Sequence, residues 1–359
     1  MLVRTFGWTF SATGACLVAA FLYGGAAAVA VTAVLIVLEV SLSFDNAVVN
    51  AGVLGRMAPH WQQLFLTLGL LIAVLGMRIV FPVLIVSATA GMSPIAAWEL
   101  AIAGGGIHDT GSYANVMHEA HVTIAAFGGM FLLLLFVTHF LTPRDVTWLS
   151  WVERPLARAG HIAHLPVLVA CGILALVTGL LAPADKAWAV VIAGLLGIAV
   201  HTVIKAASSR LVSEPDTPGG AVGGAAGAVG KAAFALFLYL EVIDATFSFD
   251  GVIGAFAITS DPLVIAIGLG VGALYVRSLT VHLVRRGSLK QYVYMEHGAQ
   301  WAIGALAVLL LLTMRHEIPQ VITGLVGVGF IGAALLSSIN RNRRESLLRS
   351  EHPADSLVT

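Results

Sequence analysis

The chain has 359 residues, of which 58% are hydrophobic and 11% are charged, and its mean hydropathy is +0.94. Soluble domains usually carry about 25% charged residues, so this composition indicates a polytopic membrane protein rather than a soluble globular one. The formal net charge of zero argues against a nucleic-acid-binding protein, and the two cysteines, Cys16 and Cys171, lie in apolar segments that indicate neither a disulfide framework nor a thiolate metal site.

The apolar segments, taken in chain order, predict about ten membrane-spanning helices, because roughly 20 apolar residues cross a bilayer. We expect the first segment to be retained as a helix, because no clear signal-peptide cleavage site is followed by a soluble domain. The predicted fold class is an all-α polytopic membrane protein. The predicted spans are 6–24, 28–54, 62–88, 120–141, 163–182, 186–206, 231–258, 262–284, 297–315 and 317–339.

The distribution of lysine and arginine orients these spans, since basic residues favour cytoplasmic loops. With both termini in the cytoplasm, only Lys186 and Arg315 of the 19 basic residues fall outside, while Arg78 and Arg277 lie within spans. We therefore expect an integral protein of a bacterial-type inner or plasma membrane with both termini cytoplasmic. The lipid bilayer is then a partner and nucleic acid is not, while a homo-oligomer remains open.

Three markers recur in the same order in the two halves of the chain, which predicts an internal repeat. The segment SFDNAVV (43–49) matches SFDGVIG (248–254), GMRIV (76–80) resembles LYVRSLT (274–280), and VMHEA (116–120) resembles YMEHG (294–298). The matching spans are five apart, and an odd offset reverses their direction across the membrane. The sequence therefore predicts two repeats of inverted topology, an architecture typical of transporters with a site near the membrane midplane.

The repeat divides the chain into two transmembrane halves, joined by a glycine-rich segment that is typical of a flexible linker. The predicted divisions are a first half at 1–206 with its repeat core at 28–142, a cytoplasmic linker at 207–230, a second half at 231–340 with its repeat core at 231–315, and a basic cytoplasmic tail at 341–359.

Seven ionisable side chains are predicted near the middle of spans. They are the acids Glu39, Asp45, Glu241, Asp244 and Asp250 and the bases Arg78 and Arg277. On insertion scales each costs about 2.5–3.5 kcal/mol at the centre of a helix, so they must be paired, protonated, hydrated or bound to a ligand. Five acids against two arginines leave three excess negative charges, which a metal cation or protons would neutralise. The arginines are then fixed charge partners of the acids or moving gate charges.

Helical periodicity groups further polar side chains with these acids. Two sets share a helical face at 100° per residue: Glu39, Ser43, Asn46 and Asn50, and then Glu241, Asp244 and Ser248. Asp45 and Asp250 point away from these faces, so we expect a helix break near each Ser-Phe-Asp segment that aims all the groups at one ion. Carboxylate, amide and hydroxyl oxygens, without thiolate or nearby imidazole, suit Mg²⁺, Ca²⁺ or Mn²⁺.

The paired motifs resemble those of the TerC family of integral membrane proteins, within the LysE-type exporter superfamily. The resemblance is to the TerC-related subgroup long known only as a domain of unknown function. It lies in the Glu-x5-Asp-Asn helix, the second Asp-x5-Asp helix and the intramembrane arginines, and it covers most of residues 30–315. The resemblance implies export of metal ions, manganese in particular, under a historical label of tellurium resistance. Carried onto this chain, it implies a metal site at Glu39, Asp45, Asn46, Asp244 and Asp250.

Residues and resemblance together predict a secondary transporter that exports a divalent cation, foremost Mn²⁺, through an acidic midplane site. Ser43, Asn50, Glu241 and Ser248 are further candidate ligands or coupling groups. We expect no catalytic residues, no enzymatic activity and no cofactor, the metal ion being the substrate. Two alternatives remain open: an exporter of a small organic cation or amino acid, and an intramembrane enzyme or lipid-carrier flippase.

A predicted outer segment, 89–119, precedes the fourth span and carries histidines and acids at or close to its end. These residues are His108, Asp109, His118, Glu119 and His121. They could capture or release metal, or they could belong to a solvated, mildly acidic loop, and the second interpretation is favoured because no second metal-binding motif supports the first.

Overall fold

The computed structural model describes residues 2–143, 146–162, 164–213, 229–259, 261–286 and 291–351, and all regular elements in these ranges are helices. The α-helices are α1 (Leu2–Leu42), α2 (Phe44–Leu54), α3 (Pro59–Leu64), α4 (Phe81–Ala90), α5 (Pro94–Ala103), α6 (Tyr113–Leu141), α7 (Ser150–Ala159), α8 (Leu165–Leu181), α9 (Ala187–Ser213), α10 (Gly230–Ile258), α11 (Pro262–Arg286), α12 (Met295–Leu312) and α13 (Gln320–Glu351). Two π-helical segments, Phe65–Gly69 and Ile72–Val80, lie between α3 and α4.

Seven helices within these ranges are long and apolar enough to cross a membrane. This finding agrees with the predicted class, a helical membrane protein. The count of ten spans, the two repeats and the orientation of the termini stay predictions. The predicted linker at 207–230 falls largely outside the described residues, although α9 continues as far as Ser213.

The helix α1 changes direction at Gly24–Gly25, where Gly25 has a φ of 65° that a residue with a side chain rarely adopts. Before this point, Thr9 Oγ1 lies 2.6 Å from Ser278 Oγ, and Thr13 Oγ1 donates to the Tyr275 hydroxyl at 3.0 Å. The contacts on α11 move towards its N-terminus as the chain advances, so this part of α1 runs antiparallel to α11.

After the glycines, α1 follows α11 in the opposite sense. Leu35 packs against Gly268, and Glu39 packs against Gly272, one helical turn further along α11. The two parts of α1 therefore run antiparallel to each other, as the first two predicted spans require. Gly25 allows this reversal inside one apolar run, because its backbone conformation turns the chain sharply while both parts of α1 still pack against α11.

The segment between 89 and 119, predicted as an outer loop, is partly helical, and that part of the prediction is wrong. It contains α5 and the first turns of α6. Both helices begin at a serine cap: Ser93 Oγ accepts from Ala96 N at 3.2 Å, and Ser112 Oγ accepts from Asn115 N at 3.1 Å. Such caps satisfy backbone donors at the start of a helix. A helix that starts in this way needs no long apolar run, so a search for membrane spans does not find it.

More than half of the residues of α6 are buried, and this helix packs against α9 and α12. Glycines allow these close approaches: a Cβ at Gly197 would lie 2.3 Å from the Phe127 carbonyl oxygen, and one at Gly304 would lie 2.4 Å from the Phe136 ring. Small residues at such crossings bring helix backbones close together, which favours helix association in lipid. This packed group supports the helices that carry the acids.

Candidate functional site

The first acid-bearing segment bends at Ser43, between the end of α1 and the start of α2. Ser43 has φ −98° and ψ 15°, yet its backbone N still donates to the Glu39 carbonyl at 2.9 Å. Its hydroxyl donates to Glu39 Oε1 at 3.0 Å. The predicted break is confirmed in this copy as a bend between α1 and α2, and the carbonyls of Glu39 and Ser43 still accept backbone hydrogen bonds there.

The second acid-bearing segment does not break. The helix α10 runs continuously from Gly230 to Ile258, through the second Ser-Phe-Asp segment, so the predicted break is wrong in this copy. Glu241 and Asp244 lie within one turn of each other, and both approach Arg277 from an intact helix. Unwinding is therefore not required to bring these two carboxylates to one place.

Glu39 forms a buried ion pair with Arg78. The two residues are 2% and 6% exposed, and Nη2 of Arg78 donates to Oε1 of Glu39. The second guanidinium nitrogen, Nη1, donates to the Ala73 carbonyl at 2.5 Å. Arg78 and Ala73 both belong to the π-helical segment that starts at Ile72. Wide π turns of this kind are frequent at functional sites. The π-helical backbone thus holds the guanidinium against the acid.

Arg277 has a similar position against the acids of α10 and is 5% exposed. Its Nη2 donates to Asp244 Oδ2 at 3.3 Å and lies 3.8 Å from Glu241 Oε1. The guanidinium also donates to the carbonyls of Gly69 at 3.0 Å and Phe65 at 3.3 Å, and it stacks 3.7 Å from the centre of the Phe65 ring. One arginine thereby ties α10 and α11 to the first π-helical segment.

Two contacts join the acid-bearing helices directly. Asn46 Nδ2 donates to Asp244 Oδ1 at 2.5 Å, and a Cβ at Gly251 would lie 2.8 Å from Glu39 Oε2. In the match between the two sequence copies, Glu39 corresponds to Asp244 and Asn46 corresponds to Gly251. Each contact is therefore the counterpart of the other when the copies are exchanged, which supports the predicted repeat. The helices also run antiparallel at this crossing.

A small cavity lies between these side chains, with about 10 Å³ accessible to a water-sized sphere, which is room for about one water molecule. Its lining is formed by Glu39, Ser43, Asn46, Arg78, Asp244, Ala273, Val276 and Arg277. Glu241 lies beside this lining and is 6% exposed, and its carboxylate accepts no hydrogen bond from any described residue. The site therefore consists of a narrow cavity with a buried carboxylate beside it that accepts no hydrogen bond from the described residues.

Most of the predicted site residues that can be located come together here. Asn50 lies one turn beyond Asn46 and outside the cavity lining, and its buried amide has no hydrogen-bond partner among the described residues. The side chains of Asp45, Ser248 and Asp250 lie outside the described part of the structure. Among the side chains that are described, no group of three His, Cys, Asp or Glu residues is arranged to hold a metal ion.

Three glycines belong to this site and were not predicted from the sequence. A Cβ at Gly272 would lie 2.4 Å from Glu39 Cγ, and one at Gly69 would lie 2.5 Å from Glu241 Oε1. Gly251 approaches Glu39 in the same way. Glycine inside a strongly apolar helix is the available signal, since it often marks a close approach of helices, but 38 glycines make that signal unspecific.

The residues of the predicted outer segment serve local structure where they are described. Asp109 Oδ2 accepts from the Gly106 backbone N at 2.6 Å, and His121 Nε2 lies 2.9 Å from Thr313 Oγ1. The Glu119 carbonyl accepts from Lys186 Nζ at 2.8 Å. These contacts join turns and helix ends, and they give no support to a separate metal site.

A model of a known protein family matches residues 44–345, which include α10, α11 and the buried arginines Arg78 and Arg277. The matching family is described as a protein of unknown function, DUF475, and this description assigns no activity. No curated protein and no solved structure matches the chain. Because the family model covers most of the sequence, the chain belongs to the DUF475 family.

Proposed function

We propose that the protein is a secondary membrane transporter that exports a divalent metal cation, foremost Mn²⁺, through the acid cluster between α1, α2 and α10. One observation supports this proposal above the others. Glu39, Glu241 and Asp244 are all less than 8% exposed and converge from two helices on only two arginines. Ionisable side chains are rare inside apolar helices and usually mark a transport pathway or ligand site there.

The charge balance favours a cation. Three carboxylates against two guanidinium groups leave a formal charge of −1 if all are ionised, and Asp45 and Asp250 occupy the same two helical segments. A buried charge without a partner costs several kcal/mol, so a bound cation or proton would stabilise the cluster. Such a cation or proton would also satisfy the carboxylate of Glu241, which accepts no hydrogen bond from any described residue.

The chemistry of the side chains favours a hard metal ion. Carboxylates from Glu39 and Asp244, the Ser43 hydroxyl and the Asn46 amide all reach one cavity. Mg²⁺ and Ca²⁺ bind such oxygen ligands at about 2.0–2.6 Å, and Mn²⁺ favours the same ligand types. We expect the carboxylates of Asp45 and Asp250 to complete the ligand set. Each follows a cluster acid by six positions, which is about 240° around an unbroken α-helix. Asp45 therefore depends on the interruption at Ser43, and Asp250 requires a local change in α10 when the metal binds.

A possible transport cycle follows from the two ion pairs. Without metal, Arg78 and Arg277 neutralise Glu39 and Asp244, as their contacts indicate. A divalent cation that enters the cluster competes with the guanidinium groups for the same oxygens. A shift of Arg78 would change the packing of the second π-helical segment, to which it belongs, and a shift of Arg277 would change that of the first, which it contacts. Protonation of the acids would release the metal, which would couple export to protons without ATP.

Export of a small organic cation or amino acid is the second candidate. The observation that favours it is a larger cavity, of about 1030 Å³, next to the acid-bearing helix α2. That volume suits an organic ligand, and the basic side chains that line the cavity favour the carboxylate of an amino acid over an organic cation. The space among the acids themselves is only about 10 Å³, however, so an organic substrate would require the helices to separate at the cluster.

Measurement of manganese in intact cells tests the metal proposal. A host without its own manganese exporters would produce the wild type, Asp45→Asn or Asp250→Asn during a challenge with excess Mn²⁺. We expect wild-type cells to keep intracellular manganese low, while both variants accumulate as much as cells with an empty vector. Each variant keeps the size of the side chain but removes a negative charge and a titrating group.

The matched control is Glu99→Gln, an isosteric change of an exposed acid on α5. It should export like the wild type at equal membrane level, as judged by immunoblotting. Mn²⁺ binding to the purified proteins, followed by electron paramagnetic resonance, separates binding from transport. If Asp45→Asn and Asp250→Asn both export normally, the metal mechanism is wrong and the organic-substrate candidate takes precedence.

A further inference from the structure

A second site lies among seven helices, α2, α3, α6, α9, α10, α11 and α12. It is a half-open cavity of about 1030 Å³, and its polar lining includes Arg56, His139, His201, Lys205, Arg285 and Gln300. We call this cavity the basic vestibule. The Lys and Arg residues that line it predict that it opens to the cytoplasm.

The charge of the basic vestibule is positive. Lys205 and Arg285 line it together with Arg56, and Glu296 is the only acid among its described lining residues. Glu296 lies 3.6 Å from Arg56, so this pair is close to neutral. Two positive charges therefore remain, from Lys205 and Arg285. Such a field attracts an anion and repels a divalent cation, so the vestibule is not the entry route of the proposed metal substrate.

A buried histidine gives an independent indication of a ligand. His201 is 3% exposed and lines the vestibule, and neither of its ring nitrogens has a hydrogen-bond partner among the described residues. Its ring packs against Phe131 with the ring centres 5.5 Å apart, which fixes its position. A buried polar group without a partner costs about 1–3 kcal/mol. Both ring nitrogens are buried, so a ligand acceptor would satisfy an imidazole N–H after a small shift of the ring or its neighbours.

We propose that the basic vestibule binds a phosphate-bearing anion. A phosphate group offers several acceptor oxygens and up to two negative charges, which match one imidazole donor and two cationic side chains. The volume exceeds what inorganic phosphate needs and falls at the upper end of organic-ligand sites, so the phosphate belongs to a larger molecule. A soluble phosphate ester and an anionic phospholipid headgroup share this chemistry. The proposal does not depend on metal transport.

The test uses the full chain purified in detergent and follows its midpoint of thermal unfolding. One arm titrates glycerol 3-phosphate, with sodium chloride at equal ionic strength as the screening control. The other arm adds mixed micelles that contain phosphatidylglycerol, with phosphatidylcholine micelles as the neutral control. We expect a saturable rise of the unfolding midpoint with the phosphate-bearing probe and none with its control. The arm that responds identifies the source of the phosphate.

Variants then locate the binding. The double change Lys205→Gln and Arg285→Gln removes two exposed cations of the vestibule and should lower the apparent affinity at least tenfold. The matched control is Arg154→Gln with Arg158→Gln, two exposed arginines of α7 that do not line the vestibule. His201→Phe should weaken binding at unchanged charge.

Three results would overturn the proposal. One is no saturable response in either arm, and another is a response that equal ionic strength or neutral lipid reproduces. The third is an equal loss of affinity in the vestibule and α7 double variants, because that would show attraction to the whole basic face. Lys205 and Arg285 are exposed, so we expect the double variant to fold. The comparison of the two double variants therefore tests the proposal even if His201→Phe does not fold.

Discussion

Asn46 donates a hydrogen bond to Asp244 across 2.5 Å, and this bond joins the two acid-bearing helices α2 and α10. Asp244 also accepts from Arg277 through its other carboxylate oxygen. The amide therefore shares a carboxylate with a guanidinium group, and its loss would leave one buried oxygen without a donor. This relationship connects the two halves of the chain at the proposed ion site.

Replacement of Asn46 by alanine is expected to destabilise the protein. Asp244 Oδ1 would lose its donor, and an unsatisfied buried acceptor costs about 1–3 kcal/mol. Chemical unfolding in detergent, followed by circular dichroism, measures this change. Asn46→Asp should cost more without metal, because two carboxylates would then face each other, and added Mn²⁺ should recover part of that loss. A change below about 0.5 kcal/mol for Asn46→Ala would mean that the bond is not important for stability.

The ion pair between Arg78 and Glu39 is expected to act as a unit. Arg78→Ala leaves the acid buried without its counter-charge, a change that typically costs about 3–5 kcal/mol. Glu39→Gln should cost less, because the amide oxygen can still accept from the guanidinium group. The double variant should be less unstable than the sum of the two single changes, as measured by unfolding of all four proteins. Additive effects would show that the residues are not coupled.

Gly272 is expected to be essential for the position of Glu39. The Cβ of Gly272→Ala would lie 2.4 Å from Glu39 Cγ and 2.5 Å from its Cβ, so α1 and α11 must move apart. Overpacking of this kind typically costs about 1–3 kcal/mol. Gly332→Ala is the matched control, because a Cβ there meets no atom within 4 Å. The thermal midpoint should fall for the first variant and stay constant or rise for the second.

Glu153 is expected to stabilise the start of α7 and its contact with α12. Its carboxylate accepts from the backbone N of Trp148 at 3.0 Å and of Leu149 at 3.2 Å, and from Trp301 Nε1 at 3.1 Å. His297 Nδ1 lies 3.1 Å from Oε2 of the same group. Its removal would leave these donors without an acceptor, at about 1–3 kcal/mol for each donor that water does not reach.

The experiment compares Glu153→Ala with Glu317→Ala, a change of an exposed acid, by chemical unfolding and tryptophan fluorescence. We expect the first variant to unfold at lower denaturant concentration and to change its emission, because Trp301 loses its acceptor. Equal stability of the two variants would contradict the role that the contacts assign to Glu153.

The helical class and the extent of several helices could be predicted from the sequence alone. The predicted span at 231–258 agrees with α10, Gly230–Ile258, and the predicted span at 262–284 agrees with α11, Pro262–Arg286. Apolar length is a local property that the bilayer thickness dictates, so it is visible without tertiary structure. The short helix α5 depends on serine capping, which produces no apolar period. The reversal in α1 at Gly24–Gly25, in contrast, falls between the predicted spans 6–24 and 28–54.

The sequence also identified the acids and arginines of the candidate site, because charged side chains stand out in an apolar helix. Only the tertiary structure decided their partners: Arg78 contacts Glu39, while Arg277 contacts Asp244 and also the carbonyl of Gly69. The register of one helix against another depends on many weak contacts and on close approaches such as Gly272 against Glu39. The contacts of Arg277 with Gly69 and of Gly272 with Glu39 join segments more than 200 residues apart, and no local pattern in the sequence encodes them.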